Sequence, residues 1–150
     1  VSFFLMNTKL KIALGSDHAG FSLKECIKEY LIGLGHEVRD FGTDSEASCD
    51  YPPFVQAAAR SVVAGECDVG LVFGGSGNGE AIAANKVKGI RCALCWNETS
   101  ARLAKEHNNA NVISMGGRLV EPDVAKRIVD AWLGATFEGG RHLRRIQMLD

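Results

Sequence analysis

The sequence predicts an α/β protein with a three-layer, doubly wound (Rossmann-like) sheet of five parallel strands and helices on both faces. Five short apolar segments, each typical of a strand, alternate along the chain with segments of helical periodicity. The central strand segments are apolar throughout, as burial on both sheet faces requires. The 150 residues suffice for one domain with a sizeable core. We expect a single domain over residues 9–150, the strand order 2-1-3-4-5, and an N-terminal extension, residues 1–8, outside the fold.

The first half of the chain supplies two strands and two helices. Residues 10–14 form a short apolar strand, and residues 21–34 carry apolar side chains at helical spacing before Gly35, a typical helix end. Residues 36–41 alternate polar and apolar side chains, which indicates an edge strand. The helix predicted at 51–64 begins next to two prolines, which the first helical turn tolerates.

The second half repeats the strand–helix unit three times. Its strands are predicted at 69–73, 90–95 and 111–115. The helix after the first of these ends at Gly89, and the next is capped by the polar segment that begins at Asn97. The last helix begins at 121–123 and ends before Gly134, and a short basic tail follows it.

A loop with four glycines joins the strand at 69–73 to the following helix. Backbone N–H groups of such a loop, together with a helix N-terminus, favour an anion. The spacing fits neither the dinucleotide fingerprint nor the P-loop. Glu80 closes the loop, where it either complements the helix dipole or takes part in chemistry. Because a carboxylate repels phosphate, we expect the loop to hold the reacting carbon skeleton and other residues to hold the phosphate.

A second polar loop, with Asp17 and His18, follows the first strand. In the order 2-1-3-4-5 the topological switch point lies between strands one and three, where ligands bind such folds. We therefore expect this loop and the glycine loop at 74–80 to be neighbours. An aspartate in a strand-to-helix loop also serves often as a helix cap, so Asp17 has both interpretations.

Further candidates lie in the C-terminal half. The polar run that begins with His107 and Asn108 leads directly into a strand, and Arg118 follows two glycines at the end of that strand. Arg141 and Arg145 are four residues apart, so on a helix they share a face and can grip one phosphate. The alternative for these arginines is a solvated basic tail.

Composition excludes several classes of protein. The net charge of −1 argues against a nucleic-acid partner, and no apolar run approaches the ~20 residues of a membrane span. Five cysteines, an odd number, indicate reduced thiols in the cytoplasm. Cys92 and Cys95 have redox or zinc spacing, but a strand turns positions three apart to opposite faces, so we favour a structural role.

Seven motifs together resemble the sugar-phosphate isomerase family of ribose-5-phosphate isomerase B and the galactose-6-phosphate isomerase subunits. The resemblance runs from about residue 9 to residue 145. It implies aldose–ketose isomerisation of ribose 5-phosphate and ribulose 5-phosphate, in the pentose phosphate pathway, without a metal or other cofactor. One branch of the family uses a cysteine at the start of the glycine loop as its base. This chain has Gly74 there and resembles the branch that uses the glutamate at the end of the loop. The motifs are 15–20, 50–52, 74–80, 85–86, 89–91, 107–112 and 139–142.

The resemblance also implies roles for individual residues. Glu80 would move a proton between C2 and C1 through a cis-enediol(ate), with Ser76 and the loop N–H groups stabilising the oxyanion. Asp17 and His107 would open the sugar ring. Members of the family are homodimers or tetramers with shared sites, so His107 would face Glu80 of another copy. The substrate-binding residues would be His18, Tyr51, Gly75, Gly77, Asn78, Gly79, Asn85, Asn108, Arg118, Arg141 and Arg145, with His18 and the three arginines on the phosphate.

Two other functions stay open at this point. The same reaction on a six-carbon sugar phosphate, such as galactose 6-phosphate or allose 6-phosphate, would differ only in pocket length. A non-catalytic phosphosugar-binding module would need the phosphate cradle but would gain nothing from Glu80.

Overall fold

A computed structural model describes residues 8–150; the predicted extension over residues 1–8 lies, except for Thr8, outside the described residues. Five strands alternate with helices as the sequence predicts, and every strand pair is parallel. No helix of the described residues is long and apolar enough to cross a membrane. The elements are β1 Lys11–Ser16, α1 Phe21–Gly33, β2 Glu37–Asp40, α2 Tyr51–Val63, β3 Val69–Gly74, α3 Asn78–Asn85, β4 Cys92–Leu94, α4 Glu98–Asn108, β5 Val112–Gly116, α5 Pro122–Gly134 and α6 Arg141–Ile146.

Helices cover both faces of the sheet, which confirms the three-layer architecture. Side chains that alternate along β1, β3 and β5 belong to two separate cores, because successive strand residues point to opposite faces. Ile113 belongs to the core with α1, α4 and α5, and its neighbour Val112 belongs to the core with α2 and α3. Trp132 on α5 is fully buried, and its indole N–H donates to the carbonyl of Ala110 at 3.0 Å.

The strand order is 2-1-3-5-4, so the predicted order 2-1-3-4-5 is wrong in its last two positions. β5 lies beside β3, with Gly70 opposite Val112, and β4 forms the edge. Burial gives the reason: every residue of β5 is buried, whereas the three residues of β4 are partly exposed. A central strand is covered on both faces, and of these two strands only β5 is fully buried.

The reversed order of β4 and β5 leaves the predicted switch point between β1 and β3 in place, because these two strands still pair with each other. The carboxyl ends of β1, β3 and β5 therefore lie side by side. Glycines allow their loops to approach closely: a Cβ on Gly20 would overlap the carbonyl carbon of Phe73, and one on Gly116 would lie 2.5 Å from the carbonyl oxygen of Ser76. The side of the sheet where the strands have their carboxyl ends is named the carboxyl edge, and the side where they have their amino ends is named the amino edge. Neither name refers to an edge strand.

Candidate active site

The carboxyl group of Glu80 lies at the carboxyl edge, directly against the end of β3. Glu80 is in the first turn of α3 and is only 4% exposed. Its side chain folds back onto Gly74, so that a Cβ at position 74 would overlap the carboxyl group. Gly74 is therefore required for this placement.

Asp17, which follows β1, is the charged neighbour of Glu80. Burial raises the pKa of Glu80 above its ordinary value. A hydrogen bond from the backbone N–H of Glu80 lowers this pKa, and the negative charge of Asp17 raises it further. Asp17 is itself buried, and its Oδ1 accepts the N–H of Gly20 at 3.0 Å; Gly20 is the N-cap residue of α1, and no side chain caps that helix, so the bond orders the loop before it. Two carboxyl groups thus lie together in a largely dry site.

Three other predicted residues line the same edge. The hydroxyl of Tyr51 packs over Gly79, where a Cβ would approach it to 2.7 Å. Nδ1 of His18 accepts the N–H of Cys49 at 3.2 Å, which assigns the remaining proton of the neutral ring to Nε2. The hydroxyl oxygen of Ser76 accepts the N–H of Asn78 at 3.2 Å, so its own proton is still available for donation.

Arg118 brings a positive charge to this group. It follows β5, and its Nη1 would lie 3.2 Å from a Cβ on Gly75. Its side chain therefore extends along the glycine loop. The structure thus brings one set of predicted site residues together at the carboxyl edge: Asp17, His18, Tyr51, Gly75, Ser76, Gly77, Asn78, Gly79, Glu80 and Arg118.

A second set of predicted residues lies at the amino edge of the sheet. His107 and Asn108 end α4, which runs back to the start of β5, and Arg145 lines a cavity of about 320 Å³ with both of them. β5 rises about 3.3 Å per residue, so its five residues separate the two edges by roughly 13 Å. Within one chain, His107 and Glu80 are therefore apart.

The tail places its arginines at the same amino edge. α6 contains Arg141 and Arg145 on one short helix, as their spacing predicts, and both are exposed. The ring of His142 stacks on that of His107, with centroids 4.3 Å apart and planes at 13°. This stacking joins α6 to the end of α4.

Asn85 has a local partner that accounts for its position. Its amide N–H₂ donates to the carbonyl of Cys92 at 2.9 Å, and its Oδ1 accepts the N–H of Cys92 at 2.7 Å. Both ends of the amide thus fix the start of β4. The resemblance implies a substrate-binding role for Asn85, whereas these contacts fit support of β4.

Sequence reasoning gave no role to three residues that shape the amino edge. Arg91 donates to the carbonyls of Asn108 and Asn109, at 3.0 and 2.9 Å, and so holds the turn after α4. Glu138 and His142 converge on His107 through their side chains. The four-residue spacing of Glu138 and His142 was a usable signal, although the helix begins only at Arg141, between them.

The cysteines fit the structural interpretation. All five are free, and burial raises the pKa of Cys92 and raises that of Cys95 to about 12. Thiols with raised pKa values stay protonated at neutral pH and are poor nucleophiles and metal ligands.

The fold and the site define the class of protein first: a doubly wound α/β protein with a pair of buried carboxyl groups at its switch point, in the place where such folds bind small ligands. Comparison with known proteins then gives the family. The family model described as Ribose/Galactose Isomerase matches residues 12–149, and the chain belongs to that family.

Individual relatives are similar over nearly their whole length. A ribose-5-phosphate isomerase B of Escherichia coli is 48% identical over 139 residues, which are 93% of each chain. A solved structure of ribose-5-phosphate isomerase B from Clostridium thermocellum superposes with a TM-score of 0.92 at 50% identity, over 93% of this chain and 94% of that one. The structure of a ribose 5-phosphate isomerase from Thermotoga maritima superposes with a TM-score of 0.93 at 49% identity, and the match covers 95% of this chain and 99% of that one. These likenesses confirm the resemblance found in the sequence.

Proposed function

We propose that this protein is an aldose–ketose isomerase that interconverts ribose 5-phosphate and ribulose 5-phosphate, with Glu80 as the base. The relatives support the reaction, since two solved structures and a curated protein at 48–50% identity carry the name ribose-5-phosphate isomerase. The single observation that carries the assignment of the base is the buried Glu80 carboxyl group at the switch point, folded onto Gly74.

The environment of Glu80 suits a proton carrier. A base that takes a proton from the carbon next to a carbonyl must be ionised and still basic. Burial and the charge of Asp17 raise the pKa of Glu80, which makes its carboxylate a stronger base at neutral pH. In the proposed step Glu80 takes the proton from C2 of the open-chain aldose and returns it to C1, while the proton of the O2 hydroxyl passes to O1, so the intermediate is a cis-enediol(ate) and the product a ketose.

The glycine loop would stabilise the charge that develops on the sugar oxygen. The N–H groups of residues 75–79 precede or begin α3, whose N-terminus favours negative charge. A well-placed donor of this kind is worth about 3–4 kcal/mol in the transition state. We assign Ser76 to the same task, with Gly75, Gly77, Asn78 and Gly79 lining the sugar and Tyr51 packed above them.

Ring opening and phosphate binding would use both edges of the sheet. Asp17 and His107 would transfer protons between the ring oxygen and the anomeric hydroxyl. His18 and Arg118 at the carboxyl edge, and Arg141 and Arg145 at the amino edge, would hold the phosphate.

Because the two edges are roughly 13 Å apart within one chain, we propose a homodimer or tetramer in which His107 and the arginines of one copy complete the site of another. Isologous dimers form two such sites at once. Exposed apolar side chains on the described surface, such as Ile82 at 62% and Leu149 at 67%, offer area for such contacts.

A spectrophotometric assay over five- and six-carbon aldose phosphates tests the assignment. We expect ribose 5-phosphate to give the highest kcat/KM. Preference for a six-carbon substrate such as galactose 6-phosphate or allose 6-phosphate would assign the chain to that reaction instead, and binding without turnover would make it a phosphosugar-binding module. The five free cysteines support a place in the cytoplasm, where the pentose phosphate pathway uses this reaction.

A further inference from the structure

Three side chains at the amino edge converge on one point: His107, Glu138 and His142. Oε1 of Glu138 lies 3.3 Å from Nε2 of His142 and 3.9 Å from Nε2 of His107. One potential ligand atom from each residue lies within 4.8 Å of the other two. The donors are two imidazoles and one carboxylate, brought together by α4, the loop before α6, and α6.

The backbone holds these donors in place. The N–H of Glu138 donates to the carbonyl of Glu106 at 3.0 Å, which fixes Glu138 beside the residue that precedes His107. The N–H of His142 donates to the carbonyl of Gly139 at 3.1 Å, and the two imidazoles stack. The backbone is thus preorganised, which favours binding, whereas the two rings, now at 13° to each other, have to turn so that both lone pairs point at one cation.

His142 also has a polar atom without a use in the protein. The residue is 8% exposed, and among residues 8–150 its Nε2 makes no well-directed hydrogen bond, although Oε1 of Glu138 lies 3.3 Å away. Burial and the nearby charge of Arg141 lower the pKa of His142. His107 and Arg145 lower it further, whereas the negative charge of Glu138 raises it. The neutral imidazole is the form that binds metal ions.

We propose that His107, Glu138 and His142 form a binding site for a divalent cation of the zinc class. In a tetrahedral site with bonds of about 2.0–2.1 Å, ligand atoms lie about 3.4 Å from one another. The distance between Glu138 and His142 already has this value, and that between Glu138 and His107 needs to shorten by about half an ångström. Two histidines and one carboxylate leave the fourth position to water.

Occupation of this site would inhibit the enzyme. The cation takes the lone pair of His107 that, under the proposed function, carries a proton during ring opening. This consequence rests on the proposed function, whereas binding of the cation rests on the geometry alone. The two are therefore tested separately.

Binding is measured by titrating the purified protein with Co²⁺ and following the visible absorption of tetrahedral cobalt, with Zn²⁺ as competitor. We expect the Glu138→Gln variant to bind at least about tenfold more weakly, as loss of a ligand or its support does. Glu106→Gln is the matched control, because it keeps the backbone carbonyl that holds Glu138 and should bind normally. His142→Asn removes a second ligand and should also weaken binding. Equal binding by parent and Glu138→Gln, or a sulfur-to-cobalt absorption band, would overturn the site.

Inhibition is measured in the isomerase assay with Zn²⁺, and with Mg²⁺ as a cation that prefers oxygen ligands. We expect Zn²⁺ to inhibit the parent, Mg²⁺ to have no effect, and Glu138→Gln to keep its basal activity and lose sensitivity to Zn²⁺. Binding without inhibition would overturn the inhibitory consequence and count against the role of His107. Absence of binding would overturn the site and leave the proposed function unaffected.

Discussion

Replacement of Glu80 by glutamine tests the proposed base most directly. The change keeps the volume of the side chain, which is 4% exposed and packed on Gly74, and removes only the ability to take a proton. Loss of a general base lowers turnover by ~10²–10⁴. At about 1.4 kcal/mol per tenfold, this raises the barrier by roughly 3–5 kcal/mol. We expect KM to change little, because glutamine fills the same space.

Stability should not account for the loss. Because the pKa of Glu80 is raised in the folded protein, the folded state binds its proton more tightly than the unfolded chain does. The folded state therefore loses stability as pH rises from the ordinary value of 4.5 through the raised pKa. Glu80→Gln removes this penalty, and its free energy of unfolding at neutral pH should equal or exceed that of the parent, as urea denaturation can measure.

The assay is steady-state isomerisation of ribose 5-phosphate as a function of pH. In the parent, kcat/KM should fall as pH drops through the raised pKa of Glu80, and the residual rate of Glu80→Gln should lack this decline. Glu98→Gln is the matched control, since Glu98 also lies in the first turn of a helix but pairs with Arg127 at 3.1 Å on the surface. Turnover of Glu80→Gln within about threefold of the parent would refute the assignment, since base catalysis contributes far more.

Three further predictions use the same purified protein. Gly74→Ala should destabilise the fold by about 1–3 kcal/mol in urea denaturation, since its Cβ overlaps the Glu80 carboxyl, and the penalty should vanish in a Glu80→Ala background. Arg141→Ala should raise KM for ribose 5-phosphate far more than for free ribose, whereas Arg144→Ala, a neighbour on the same helix, should change neither; equal effects would contradict a phosphate contact. Inactive Glu80→Gln and His107→Asn chains, mixed equally, should regain roughly a quarter of the parent activity after subunit exchange if the protein is a dimer with shared sites. No recovery after verified exchange would place the site within one chain.

The sequence predicts most of this fold because its elements carry local signals. Alternating periodicities predict the elements, and the polar residues around Asn97 predict a cap that the structure has: the side chain of Asn97 accepts the N–H of Ser100 at 2.8 Å. The order of the last two strands has no local signal of that kind. Arg91 falls in the predicted strand at 90–95 and favours an edge position for that strand. The central position of β5 is seen only from its burial in the finished sheet.

The site divides in the same way. Asp17 and Glu80 could be paired from sequence because the topology fixes where β1 and β3 end. The cluster of His107, Glu138 and His142 could not, because it depends on how the loop before α6 docks on α4 through one backbone hydrogen bond. Non-local docking of this kind leaves no periodic pattern in a sequence.

The overlap between Gly74 and Glu80 has a consequence for the chemistry of the family. A side chain at position 74 and the carboxyl group of Glu80 compete for the same volume. The sequence resembles a family in which one branch has a cysteine base at the position of Gly74 and the other a glutamate at the end of the loop. Both bases would therefore reach the same point beside the end of β3, so a change of base would leave the substrate and the loop where they are. The geometry also makes the two exclude each other, because a side chain at position 74 would displace the carboxyl group of Glu80, the base that we propose for this chain.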